Sequence, residues 1–82
     1  MSKDKTSLFD IKEIDKKLTQ DILSEVFESL KERGYEPVNQ IVGYLISGDP
    51  GYISSYKECR SRILQFERED ILEVMLVNFI KK

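Results

Sequence analysis

The chain has no histidine, no tryptophan, one cysteine and two prolines. General acid–base catalysis most often relies on histidine, so its absence argues against an enzyme. A single cysteine cannot close an internal disulfide, and without histidine it cannot assemble an ordinary zinc site. No metal and no cofactor are therefore expected. Long apolar runs are also missing. The longest is Val74-Met75-Leu76-Val77, far short of a membrane span. Residues 1–10 are polar and charged with no apolar signal core. The expectation is a cytoplasmic protein with no membrane insertion and with Cys59 as a reduced thiol. Thirteen basic residues face fifteen acidic ones, for a net charge of −2. That is not the basic footprint of a nucleic-acid binder.

What is present is helical periodicity in a chain of 82 residues, enough for one domain. A core of this size seldom supplies more than roughly 3–5 kcal/mol, which points to close helix packing or self-association. Ile14, Leu18, Ile22, Val26 and Leu30 recur every four residues, with Leu23 and Phe27 beside them, and predict a first helix over about 15–33. Gly34 fits the left-handed position after it, with Tyr35 and Leu30 as the flanking pair of a Schellman motif. Pro37 suits the first turn of a second helix, in which Val38, Ile41, Val42 and Leu45 give the amphipathic spacing. Gly43 inside that helix costs about 1 kcal/mol against alanine, which suggests the close approach of another backbone. Gly48-Asp49-Pro50-Gly51 reads as a turn.

A third helix is expected from Ser54 or Ser55, with Ser55 and Glu58 as a capping box and Tyr56, Cys59, Ile63 and Phe66 on its apolar side. The stripe changes phase around Glu67-Arg68-Glu69-Asp70, which places a break there. The alternative is one long helix over about 55–80. In the last segment, Ile71 to Ile80, only Glu73 and Asn78 interrupt the apolar sequence. Such a helix needs burial on more than one side, so Ile71, Val74, Met75, Leu76 and Phe79 are the expected dimer interface. The chain thus reads as all-α, a compact homodimeric bundle of three to four helices. Residues 1–12 form a mobile N-terminal tail, with Leu8, Phe9 and Ile11 as a short extended stretch, and 13–82 form a single helical domain.

Several chemical readings compete with bland ones. Glu67, Glu69 and Asp70 fit a solvated helix start better than a carboxylate pair. Cys59 lies on an apolar stripe and reads as a buried thiol. Gly48-Asp49-Pro50-Gly51 lacks the lysine and hydroxyl of a phosphate loop. Tyr35, Tyr44, Tyr52 and Tyr56 gather around the turns and read as core edge. Helices two and three would make a helix-turn-helix with Lys57, Arg60 and Arg62 on or beside the recognition helix. The long turn and the interleaved acids oppose that alternative. Thr6 and Ser7 sit in the tail, where a kinase can reach a hydroxyl.

The run Gly34-Tyr35-Glu36-Pro37-Val38-Asn39-Gln40-Ile41-Val42-Gly43-Tyr44, then Ser47-Gly48-Asp49-Pro50 and Tyr52-Ile53, resembles the signature of the IreB-like regulatory phosphoprotein family. Tyr56, Arg60, Ile63 and Glu67-Arg68 continue the similarity. The resemblance implies a small bacterial helical homodimer without enzymatic activity. It implies a substrate of a membrane-anchored Ser/Thr protein kinase with extracellular PASTA repeats, tied to cell-envelope stress and antibiotic tolerance through a downstream protein. The family's acceptor threonines precede a Phe-x-aliphatic stretch, which Phe9-Asp10-Ile11 matches here, so Thr6 is the implied phosphoacceptor. Lys3 stands about where a second threonine would fall, so dual phosphorylation does not carry over. Phosphate on Thr6 would either release the tail or dock on Arg60, Arg62 or Arg68. Ser54 replaces an expected proline.

Overall fold

A computed structural model describes the backbone of residues 2–81 and the side chains of residues 16–81. Four helices, α1 (Ser2–Glu32), α2 (Pro37–Ser47), α3 (Cys59–Ile63) and α4 (Arg68–Lys81), are joined in order, with two single 3-10 turns, Pro50–Tyr52 and Tyr56–Glu58, between α2 and α3. The fold is all-helical throughout the described residues. The break expected between the third and fourth helices falls at residues 64–67, which excludes one long helix.

α1 begins at Ser2, well before the expected start near Asp15, and its helical backbone replaces the extended stretch expected at Leu8, Phe9 and Ile11. Those three side chains and Ile14 lie outside the described residues. Along the described part the buried positions are Thr19, Leu23, Val26, Ser29 and Leu30, while Leu18 is half exposed. The physical reason is helical phase. An every-four row winds roughly 120° around the axis between positions 18 and 30, whereas 19 and 30 stay within roughly 20° of one another. The far end of α1 closes as its sequence predicts. Gly34 takes φ +93°. The Tyr35 N–H donates to the Leu30 carbonyl at 2.9 Å and the Gly34 N–H to the Lys31 carbonyl at 3.0 Å, the two bonds of a Schellman motif.

α2 starts at Pro37 and stops at Gly48, whose φ of +77° lets its N–H return to the Tyr44 carbonyl. Gly43 is packed by a side chain, not by another backbone. A Cβ there would collide with Cδ1 of the Tyr52 ring. The third helix is shorter than expected. Lys57 and Glu58 both adopt left-handed backbone angles, φ +50° and +62°. Each costs roughly 1 kcal/mol or more for a residue with a Cβ. They turn the chain away from a helix at Ser55, so α3 begins only at Cys59. The Ser55–Glu58 capping box therefore does not form, and the Glu58 carboxylate accepts from Ser61 instead.

The core lies where α1, α2, α3 and α4 meet. Leu30, Val26, Ile41, Ile53, Cys59, Ile63 and Ile71 are fully enclosed, with Leu23, Tyr44 and Val74 nearly so. Among the described residues, three ion pairs tie α1 to the later elements: Lys16–Glu73, Lys57–Glu32 and Arg62–Glu25.

Candidate functional site

The sequence signature runs from the turn after α1 through α2 into the connector between α2 and α3, and several of its residues hydrogen-bond that connector into the fold. The Ser54 N–H donates to Gln40 Oε1 at 2.9 Å, which anchors the connector to α2. Ser47 Oγ donates to the Gly43 carbonyl and accepts from the Asp49 N–H, closing the end of the helix. Asp49 Oδ1 accepts from the Gly51 N–H at 2.9 Å. An acidic side chain thus occupies the amide turn where a phosphate would have to sit, which disposes of the phosphate-loop reading. Arg60 Nε donates to the Ile53 carbonyl at 3.0 Å, and Ile53 itself is fully buried. Arg68 Nη1 donates to the Leu45 carbonyl at 3.0 Å, with its guanidinium stacked over Gly48. A cation at that position meets the negative end of α2.

At the end of α1, Glu32 gathers the second 3-10 turn. Lys57 Nζ lies 3.0 and 3.2 Å from its two oxygens, and the Tyr56 hydroxyl donates to it at 3.3 Å. Arg33 and Lys57 each stand 5.6 Å from the centre of the Tyr56 ring. The hydrogen bond from Lys57 and its positive charge hold the Glu32 carboxyl below its usual range. The same pairing holds the Lys57 ammonium above its own.

The basic residues weighed at sequence level are accordingly engaged within the chain. Lys57 pairs with Glu32, Arg62 with Glu25, Arg60 with a carbonyl and Arg68 with another. α3 is five residues long and follows a connector of eleven, which is not the geometry of a helix-turn-helix. Cys59 is fully enclosed, and its thiol approaches the Val26 carbonyl at 3.8 Å. Burial pushes its pKa up, so it is less nucleophilic than a free thiol. Of the tyrosines, Tyr44 is buried and Tyr56 partly so, as core edge requires. Tyr35 and Tyr52 are exposed. Glu67, Glu69 and Asp70 are solvated at the start of α4.

The side chain of Thr6 lies outside the described residues. The five expected interface residues of α4 divide. Ile71 and Val74 are enclosed by the chain's own core and Met75 is partly covered, whereas Leu76 and Phe79 are 59% and 74% exposed. Leu72 and Ile80 share their outer face. The sequence pattern marked α4 as apolar nearly all round but could not say which side its own α1 would cover. Beside Phe79, an open groove of about 670 Å³ runs between α1 and α4, lined by Leu23, Phe27, Val74 and Met75. Among the described residues no group of three or more carboxylate or thiol side chains is placed to hold a metal, and no helix is long and apolar enough to cross a membrane.

The described part of the chain is thus a small all-helical scaffold whose polar side chains fix its own loops and whose outer surface includes an apolar strip along α4. The family model for the IreB regulatory phosphoprotein matches residues 4–81, nearly the entire chain, and the protein belongs to that family.

Proposed function

We propose that the protein is a non-enzymatic regulator controlled by phosphorylation of Thr6 by a membrane-anchored Ser/Thr kinase of the PASTA type. It acts as a cytoplasmic homodimer on a downstream protein in the response to envelope stress and antibiotics. The family match over residues 4–81 carries this reading. Phosphate adds about −1.5 to −2 charge at pH 7 and three acceptor oxygens. Arg62 is paired with Glu25, whereas Arg60 and Arg68 each give a single N–H to a carbonyl and stay exposed. Because the chain is net acidic, the phosphorylated start of α1 is repelled from the domain instead of docking on these arginines, and partner binding changes while the packing of the core does not. A nucleic-acid role has no comparable support, since Lys57, Arg60 and Arg62 are held by acids and a carbonyl of the same chain.

The test is to incubate the full chain and a Thr6→Ala variant with the kinase and to map phosphate by mass spectrometry. Modification of the parent protein at Thr6, and its loss in the variant, is the expected result. Undiminished incorporation in the variant moves the acceptor to Ser7 or Ser2. No incorporation in either protein contradicts the proposal.

A further inference from the structure

α1 outruns the elements it packs against. Its 31 residues span about 46 Å at a rise of about 1.5 Å per residue. That is close to the full 48 Å length of the molecule, whose other dimensions are 27 and 22 Å. α4, the next longest helix, spans about 21 Å by the same rise. The enclosed positions in the described part of α1, Thr19 to Leu30, fall in its second half. Thr6 is the fifth residue of α1 and lies on helical backbone. Extending a helix beyond its packed part needs no new nucleus, and each added residue is nearly balanced between helix and coil. Small changes of charge therefore set how far the helix extends. The residues three and four positions from Thr6 are Ser2, Lys3, Phe9 and Asp10. Like charges at i and i+4 destabilise a helix. Phosphate on residue 6 would bring about −1.5 to −2 charge to that spacing from Asp10. Lys3 is the one opposite charge of the four. It precedes the phosphate, the less favourable order for a helical ion pair. The helix dipole favours anions only within the first turn, and Thr6 lies beyond it.

We infer that phosphorylation of Thr6 unwinds the start of α1, with repulsion between the phosphate and Asp10 as the cause. The inference rests on the acceptor reading above and gives release from the domain a structural form: the segment leaves as coil, not as an intact helix. In the transfer, the Thr6 hydroxyl oxygen bonds the γ-phosphorus of a nucleoside triphosphate, its proton passes to the kinase, and the nucleoside diphosphate leaves. A downstream protein then meets one of two shapes, a charged coil or a helix that continues α1.

Backbone NMR on the full chain tests this through the Cα shifts of residues 3–10, before and after treatment with the kinase, in the parent and in Asp10→Lys. Lysine at 10 replaces the repulsion with an attraction. The expected result is helical shifts in both unmodified proteins, their loss in the phosphorylated parent and their retention in phosphorylated Asp10→Lys. A phosphorylated parent that keeps helical shifts overturns the unwinding while leaving Thr6 as the acceptor. Equal loss in both proteins overturns repulsion by Asp10 as its cause. Coil shifts in the unmodified parent overturn the inference outright. Thr6→Glu and Thr6→Gln, whose new residues have nearly equal helix propensity, provide a measurement that needs no kinase. Thr6→Glu should be the less helical of the two over residues 3–10, and equal helicity overturns the inference. If the kinase modifies neither the parent nor Asp10→Lys, the acceptor reading fails, and this second comparison still decides whether charge at position 6 unwinds the helix.

Discussion

The connector between α2 and α3 and the terminal helix α4 meet the same core by different means. The connector contributes one enclosed side chain, Ile53, and is otherwise held by polar side chains: Gln40 to the Ser54 backbone, Asp49 to that of Gly51, Arg60 to that of Ile53, and Glu32 to Tyr56 and Lys57. α4 is held mainly by packing, through Ile71 and Val74, with the Lys16–Glu73 pair at its edge. A segment without regular structure must find partners for its peptide groups one at a time, and particular residue types have to supply them. A helix satisfies its own peptides and needs only an apolar side. The family signature is densest from Gly34 through α2, continues through the connector at Gly48, Asp49, Pro50, Tyr52, Ile53 and Tyr56, and is thin in α4.

The comparison can be broken most severely through the core. Ile53→Ala and Ile71→Ala each empty a fully enclosed site, and each should cost about 2–5 kcal/mol in urea unfolding. If Ile53→Ala cost under about 1 kcal/mol, the connector would be a surface loop and its polar bonds incidental. Arg68→Gln removes the cation at the end of α2, and should cost about 1 kcal/mol. Leu76→Gln on the exposed face of α4 should change the stability of the single chain by no more than about 0.5 kcal/mol.

Gly43 sharpens the contrast further. Alanine at 43 gains up to about 1 kcal/mol of helix propensity but displaces the Tyr52 ring. In a Tyr52→Ala background that obstacle is gone. Gly43→Ala should then stabilise by about 1 kcal/mol, more than it does in the parent, and equal effects in the two backgrounds would remove the ring from the explanation. The smallest effect concerns pH. Glu32 titrates below 4.5 in the folded chain, so the tie to Lys57 contributes fully above that value and is lost as the pH falls through the lowered pKa. Lys57 titrates above 10.5, so its side of the same tie is present below 10.5 and fades as the pH rises through the raised value. Glu32→Gln should flatten the acid limb of a stability–pH profile, and an unchanged limb would show the tie to be inert.

The helices, the Schellman turn at Gly34 and the buried Cys59 were legible in the sequence because each follows from spacing or from a conformation only glycine adopts easily. The true face of α1 was not, because an every-four row and a buried row diverge only over several turns. The shortened α3 was hidden as well. Lys57 and Glu58 have no intrinsic preference for left-handed angles, and they reach them in a turn held by Glu32, 25 residues away from Lys57. The outward half of α4 was legible as apolar, but not as exposed, since Ile71 and Leu72 look alike until α1 covers one of them. Of the candidate site, Arg60, Arg62 and Arg68 stood out as cations, but their internal partners depend on tertiary contacts that no local pattern encodes.

The separation of a phosphorylated N-terminal segment from a domain that does not respond to it is tested most directly by amide NMR on the full chain, with and without phosphate on Thr6. The amides of Gly43, Gly48 and Gly51, and those of α4, should keep their chemical shifts, with changes confined to residues preceding Lys16. Shifts that spread to the connector glycines and to Arg68 would mean that the phosphate reaches the domain and displaces the bonds that hold it, contradicting release.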